Sequence, residues 1–148
     1  MIMAGAAMLL VSRVWLAEWI HRPVVLNAPL TRLVDSWRPH LQTGDVILAD
    51  TAWLGGNLRL LLPGHAIMTP QEPGLRLPSD THSRGWIVWD RTRFPTPPDP
   101  LIAMLHEFHA GIDTNLGPVT VEAPLRHFKQ RTMKLAALPF RSVNETKP

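Results

Sequence analysis

Residues 45–70 read DVILADTAWLGGNLRLLLPGHAIMTP. The segment opens on Val46, Ile47, Leu48 and Ala49, a continuous apolar run bounded by Asp45 and Asp50. A short apolar run with acids at both ends is the pattern of a strand covered on both faces, as in a parallel sheet. Asp50 or Thr51 can cap the helix that follows, because a side-chain oxygen there accepts one of the free N–H groups of the first turn. Leu54, Leu58, Leu61 and Leu62 carry its apolar positions, and Pro63 and Gly64 stop it. Gly55 and Gly56 lie inside the helix. Each costs about 1 kcal/mol relative to Ala, so the pair predicts a helix pressed closely on the sheet. Residues 65–69, HAIMT, read as a second strand. Strand, helix and strand in so short a span make a βαβ unit.

Working outward, Asn27 and Pro29 mark a helix start. Leu30, Leu33, Val34, Trp37 and Leu41 then share one helical face. Pro39 should end or kink that helix. Residues 70–85 hold three Pro and two Gly and read as a long loop. Residues 86–89, WIVW, form a third strand ending at Asp90. Pro95, Pro97, Pro98 and Pro100 stiffen the next connection, and Asp99 is placed to cap a helix with Pro100 at its first position. Leu101, Met104, Leu105 and Phe108 make its buried stripe, with Gly111 as its stop. Residues 118–122 and 132–136 alternate, as half-exposed antiparallel strands do. The sum is an α/β protein: a three-layer, Rossmann-like sandwich with a mostly parallel sheet and a carboxyl-terminal antiparallel strand pair. The expected organisation is an apolar helix over residues 1–22 and a single α/β domain over 23–148.

Composition narrows the function. The chain has 148 residues, 45% of them hydrophobic and 18% charged, enough to fill one core. It has no cysteine, which removes disulfides, Cys-zinc sites and a thiol nucleophile. The formal charge is +3. The arginines stand singly along the chain, and the densest group is Arg84, Arg91 and Arg93. A nucleic-acid-binding surface concentrates its charge on one face, so no nucleic-acid partner is expected.

Met1 to Val11 is unbroken apolar sequence. Ser12 and Arg13 interrupt it, and Val14, Trp15, Leu16, Trp19 and Ile20 resume it. A spanning helix needs about 20 mostly apolar residues, roughly twice the clean run. Three readings stay open: the end of a transmembrane helix, a helix in the membrane interface with Trp15 and Trp19 at headgroup level, or a helix docked on the domain. No basic residue precedes Arg13, unlike a secretory signal. Arg13 and Arg22 follow the apolar run, where positive charge favours the cytoplasmic side.

Several constellations carry residue types used in chemistry. His106 and His109 flank Glu107 and Phe108, but the zincin motif needs histidines at i and i+4; no metal is expected there. Ser79, Asp80 and His82 have triad residue types without a nucleophile elbow. Gly55, Gly56 and Asn57 follow the helix start and make no phosphate loop. His21, His40, His65 and His127 have no motif around them. Asp50 and Asp90 each follow an expected strand. If those strands are parallel neighbours, both carboxylates reach the carboxyl edge of the sheet, where α/β folds bind ligands. As helix cap and loop former they need no further function, and that is the preferred reading. Asp50, Trp53, Asn57 and Asp90 are the candidate ligand-binding residues; no catalytic residue and no cofactor is assigned.

Residues 45–70 also resemble the soluble carboxyl-terminal region of bacterial membrane glycosyltransferases related to protein O-mannosyltransferases and to the lipid A aminoarabinose transferase. That region carries a buried strand ending in Ala-Asp, an aromatic residue, two small residues, an apolar run and Leu-Pro-Gly. Here these are Ala49-Asp50, Trp53, Gly55-Gly56, residues 58–62 and Pro63-Gly64. Trp53 replaces the usual Tyr, and Leu60 and Leu61 stand where an aromatic pair is common. The resemblance implies a polyprenyl-phosphate sugar donor and a location on the extracytoplasmic (periplasmic) side, with a membrane or membrane-protein partner. It places the catalytic acids on a loop between transmembrane helices that has no counterpart here. The expected function is therefore a non-catalytic extracytoplasmic domain or fragment of such a transferase. The alternative is a stand-alone ligand-binding or hydrolytic α/β domain using Asp50 and Asp90.

Overall fold

The computed structural model describes residues 28–72, 84–125 and 130–142. The apolar stretch 1–22, the loop bearing Ser79, Asp80 and His82, and His127 lie outside the described residues.

In chain order the elements are helix α1 (Leu30–Trp37), strand β1 (Val46–Ala49), helix α2 (Ala52–Leu61), strands β2 (Ala66–Met68) and β3 (Arg84–Asp90), helix α3 (Asp99–Glu107), and strands β4 (Ala110–Ile112), β5 (Val119–Pro124) and β6 (Thr132–Ser142). The protein has an α/β fold with one mixed sheet, ordered β2-β1-β3-β6-β4, and β5 also pairs with β6. Its parallel core is β2-β1-β3, with Val46 opposite both Ala66 and Gly85. β3 then pairs antiparallel with β6, from Arg84 opposite Arg141 to Asp90 opposite Leu135. β4 and β5 share the other edge of β6, the first against residues 140–142 and the second against residues 132–137.

Side chains of a strand point alternately to opposite faces, and this divides the core in two. Ile47, Ala49, Trp86 and Val88 join one apolar cluster with Leu33, Val34 and Trp37 of α1 and Leu54 and Leu58 of α2. Val46, Leu48, Ile87 and Trp89 join the other with Leu101, Met104 and Leu105 of α3. Two helices therefore cover one face and one helix the other. β1 and β3 are sealed on both sides, as their unbroken apolar runs predict.

Several boundaries differ from the sequence reading. α1 stops at Trp37, and Arg38–His40 tighten into a 3-10 turn at Pro39, which has no N–H for the helical ladder. Leu41 still packs on the core beyond that turn. Pro98 takes the N-cap position of α3, so Asp99 lies in the first turn, where its charge suits the helix dipole. Gly111 does not stop α3. His109 adopts the left-handed turn, with φ of 49°, and Gly111 belongs to β4. β6 runs six residues past the expected end at residue 136 and passes through Pro139. That proline lies in the gap between Ala137, opposite β5, and Phe140, opposite β4. Its carbonyl accepts from the Asp113 N–H there, so its missing donor faces the same gap and the ladder to β3 loses nothing.

The two helix glycines are not equivalent. A Cβ on Gly55 would strike the Thr69 methyl and touch Ala49 and Ile67, whereas one on Gly56 meets open space. Only Gly55 brings α2 down on the sheet; the expectation that the pair acts together is corrected, because adjacent helix positions face about 100° apart. Arg59 ties the far half of α2 to the same strand end, donating to the Ile67 carbonyl and pairing with Glu72. Thr69 is fully buried and donates to Glu72, so it has no room to retreat. Gly55→Ala is expected to destabilise the fold by about 1–3 kcal/mol through overpacking. Gly56→Ala is expected to stabilise it by about 0.5–1 kcal/mol through helix propensity. Chemical denaturation of the two variants, read as shifts of opposite sign, checks this.

Candidate functional site

β1 and β3 are parallel neighbours, so their carboxyl ends lie on one edge of the sheet. From β1 the chain leaves through α2 on one face, toward β2. From β3 it leaves through α3 on the other face, toward β4. Departure in opposite directions from adjacent parallel strands opens a crevice beyond their ends, the usual ligand position in open α/β sheets. Asp50 is the first residue past β1, and Asp90 is the last of β3.

The two acids are joined. The Asp50 N–H donates to the Val88 carbonyl at 3.0 Å, extending the β1–β3 pairing by one bond. Its carboxylate turns back across the crevice, and Oδ2 accepts from the Asp90 N–H at 3.1 Å. Oδ1 accepts from the Thr51 hydroxyl at 3.1 Å. Thr51 is the N-cap of α2, and its Oγ1 accepts from the Leu54 N–H at 3.2 Å. The cap that the sequence assigns to Asp50 or Thr51 thus belongs to Thr51, and Asp50 serves the strand pair. Asp90 forms its own turn: Oδ1 accepts from the Thr92 N–H at 2.9 Å. The Thr92 hydroxyl in turn accepts from the Lys134 N–H of β6 at 2.8 Å.

These residues border a cavity of about 290 Å³. Its polar lining is Asp50, Thr51, Asp90, Thr92, Arg93 and Thr132, and its apolar wall includes Trp53, Leu54, Leu125 and Met133. Asp50 is only 8% exposed, and burial pushes its pKa above the ordinary aspartate value. The Asp90 N–H and the Thr51 hydroxyl oppose that rise, the Asp90 charge adds to it, and the Arg93 charge opposes it.

Of the four candidate residues, Asp50, Trp53 and Asp90 meet at this cavity. Asn57 does not reach it. Its side-chain amide donates to the Trp53 carbonyl at 2.8 Å, and it lines a neighbouring cavity of about 230 Å³ between α1 and α2. Thr92, Arg93 and Met133 complete the lining, although the sequence marks Arg93 only as part of its densest arginine group. The turn around Asp90 is hinted at by an Asp two residues before a Thr at a strand end; nothing local places Arg93 or Met133 at the cavity. The pair His106 and His109 is not one helical face, because α3 ends at Glu107 and His109 lies in the left-handed turn. Among the described residues no three His, Asp or Glu side chains converge as a metal-ligand set, and no helix is long and apolar enough to cross a membrane. Comparison with protein-family models, curated proteins and solved structures finds no match for this chain.

The raised pKa of Asp50 has a thermodynamic sign. A carboxyl that holds its proton more tightly when folded favours the fold most below the ordinary aspartate value. That contribution is lost as pH rises through the folded value. Glu72, held below its usual value by Arg59, works in the opposite sense, so a variant comparison is needed. Asp50→Asn retains an acceptor for the Asp90 N–H and removes the titration. Its stability relative to the parent is expected to improve as pH rises from below the ordinary aspartate value to neutrality. Urea midpoints measured for both proteins across that range check the sign.

Proposed function

We propose that this chain is a non-catalytic α/β domain of a membrane glycosyltransferase that uses polyprenyl-phosphate sugar donors, held at the extracytoplasmic face of the membrane by its apolar amino-terminal stretch. The observation that carries the non-catalytic part is the engagement of Asp50. Both of its oxygens accept hydrogen bonds that hold the crevice together. A carboxylate so committed is a poor general base, which needs an oxygen within reach of the proton it takes. The same engagement weighs against Asp50 as the base of the hydrolytic alternative.

The resemblance in residues 45–70 supports the kinship, and several of its elements have structural work in this fold. Ala49 and Leu58 are buried in one cluster, Asp50 joins two strands, and Gly55 sets the approach of α2. The outer side of α2 supports a membrane location. Leu60 is 82% exposed and, with Trp53, borders the cavity that begins at Ala28, just after the apolar stretch. In the proposed arrangement this side of the domain faces the lipid, where apolar and indole side chains are favoured.

The test uses the full chain in phospholipid vesicles with a radiolabelled polyprenyl-phosphate sugar and a lipid acceptor. The protein is expected to float with the vesicles on a density gradient and to transfer no sugar by itself. Sugar transfer above the protein-free background, or recovery of the chain free of the vesicles, overturns the reading.

A further inference from the structure

We infer that the cavity at the carboxyl edge of β1 and β3 is a binding site for a neutral, hydroxylated ring of monosaccharide size, with Trp53 as its plate and Asp90 and Arg93 as its hydrogen-bonding pair. The inference stands on the cavity alone and does not need the glycosyltransferase kinship.

Size comes first. At about 290 Å³ the cavity lies at the lower end of ligand pockets, which run from about 300 to 1,000 Å³. A single ring suits that space; a nucleotide or a polyprenyl chain does not. The lining is divided. Leu54, Leu125, Met133 and Trp53 make an apolar side, and the polar groups gather at the strand ends. A ligand matched to it has one apolar face and one polar edge.

Which polar groups remain to meet a ligand decides its chemistry. The Thr51 hydroxyl donates to Asp50 and accepts from Leu54. The Thr92 hydroxyl accepts from Lys134. Both Asp50 oxygens and Asp90 Oδ1 already hold protein donors. Asp90 Oδ2 and the Arg93 guanidinium make no hydrogen bond among the described residues; the guanidinium lies 5.6 Å from the Phe94 ring centroid. The Thr92 hydroxyl keeps its own proton to donate, and the Thr132 hydroxyl of the lining makes no hydrogen bond among the described residues; with Asp90 and Arg93 the cavity therefore offers an acceptor, a multiple donor of opposite charge and two hydroxyls.

Charge then selects among ligands. Phosphate would meet the Asp90 carboxylate and an ammonium would meet Arg93, so an ion of either sign finds a like charge beside its partner. A hydroxyl satisfies both groups, because it donates to Asp90 and accepts from Arg93. Neighbouring hydroxyls on a ring can use the carboxylate and the guanidinium together. The C–H face of such a ring is weakly electropositive and matches the electron-rich face of an indole. Trp53, 37% exposed and part of the cavity lining, is the indole available to such a ring.

The test is an NMR titration of the isotope-labelled full chain in a detergent without a sugar headgroup. The probes are methyl α-mannopyranoside, methyl β-glucopyranoside, inorganic phosphate, ethylammonium and cyclohexanol. At least one glycoside is expected to give saturable shifts at the Trp53 indole N–H and at the amides of residues 90–93. Phosphate and ethylammonium are expected to leave them unmoved. Asp90→Asn keeps the acceptor for the Thr92 N–H, and Arg93→Gln keeps a shorter amide donor. Each is expected to weaken glycoside binding about tenfold, the loss expected for one hydrogen bond to a charged group, with an unchanged Tm showing that the fold survives. Trp53→Ala is expected to abolish binding. Three results overturn the inference: no response to either glycoside, a stronger response to phosphate or ethylammonium, or cyclohexanol binding as tightly as a glycoside with no effect of Asp90→Asn or Arg93→Gln.

Discussion

A strand buried on both faces and paired on both edges has no place for a polar side chain except past its ends. β1 is such a strand: Val46, Ile47, Leu48 and Ala49 are all sealed from solvent, with β2 on one edge and β3 on the other. Its flanking acids, Asp45 and Asp50, are buried too and must be hydrogen-bonded to be tolerated. Asp45 Oδ2 accepts from the Gln42 N–H at 2.9 Å and from the Trp86 indole N–H at 3.0 Å, and Oδ1 faces Arg84. Asp50 accepts from Asp90 and Thr51. At each end, then, a β1 carboxylate is satisfied by β3, and the parallel pair is clasped twice. The chemistry of the sheet edge follows from this arrangement.

The clasped pair sits between two cores of different character. On the α1 and α2 face, Trp37 meets Trp86 edge to face at 5.9 Å, and Gly55 lets α2 close on Thr69 and Ala49. Toward β6 the close approach is made by Gly85, where a side chain would run into the Val46 carbonyl and the Phe140 ring. A ring thus lies against Gly85 and a buried methyl against Gly55, which keeps native packing density where strands and helix come unusually near. β6 completes the sheet by lying against β3 along seven register pairs. It holds β4 and β5 on its outer edge, and Pro139 marks where one ends and the other begins.

The two acids of the crevice have separated roles. Asp50 is engaged within the structure, whereas Asp90 keeps one oxygen without a hydrogen bond among the described residues and shares the cavity lining with Arg93 and Trp53. Opposite charges near one another make such a surface selective for neutral groups with both donor and acceptor character, more than for ions of either sign. The crevice geometry accounts for this division. The side chain that spans from β1 to β3 is held between them, and the one that begins the β3 turn is directed away.

The amino-acid order alone was enough for the βαβ unit, its helix stop, the α/β class and the place of each acid after a strand. The reason is local: an apolar run between acids has few ways to bury itself, and capping and stopping residues act within a turn. It was also enough to bring Trp53 near Asp50, because three residues are less than one helical turn. That the two strands are parallel neighbours, so that both acids share one sheet edge, came from the tertiary structure. Tertiary packing alone chose Gly55 over Gly56, since the two are identical as letters and differ only in which faces the sheet. It alone made Ala110–Ile112 a strand, which is too short to show a period of its own. It also carried β6 through Pro139, by offering a gap where the missing N–H has no partner to lose. Arg93 and Met133 reach the cavity only because β1, β3 and β6 come together across the sheet. Residues separated by such lengths of chain become neighbours only through strand pairing, whose register depends on the whole sheet.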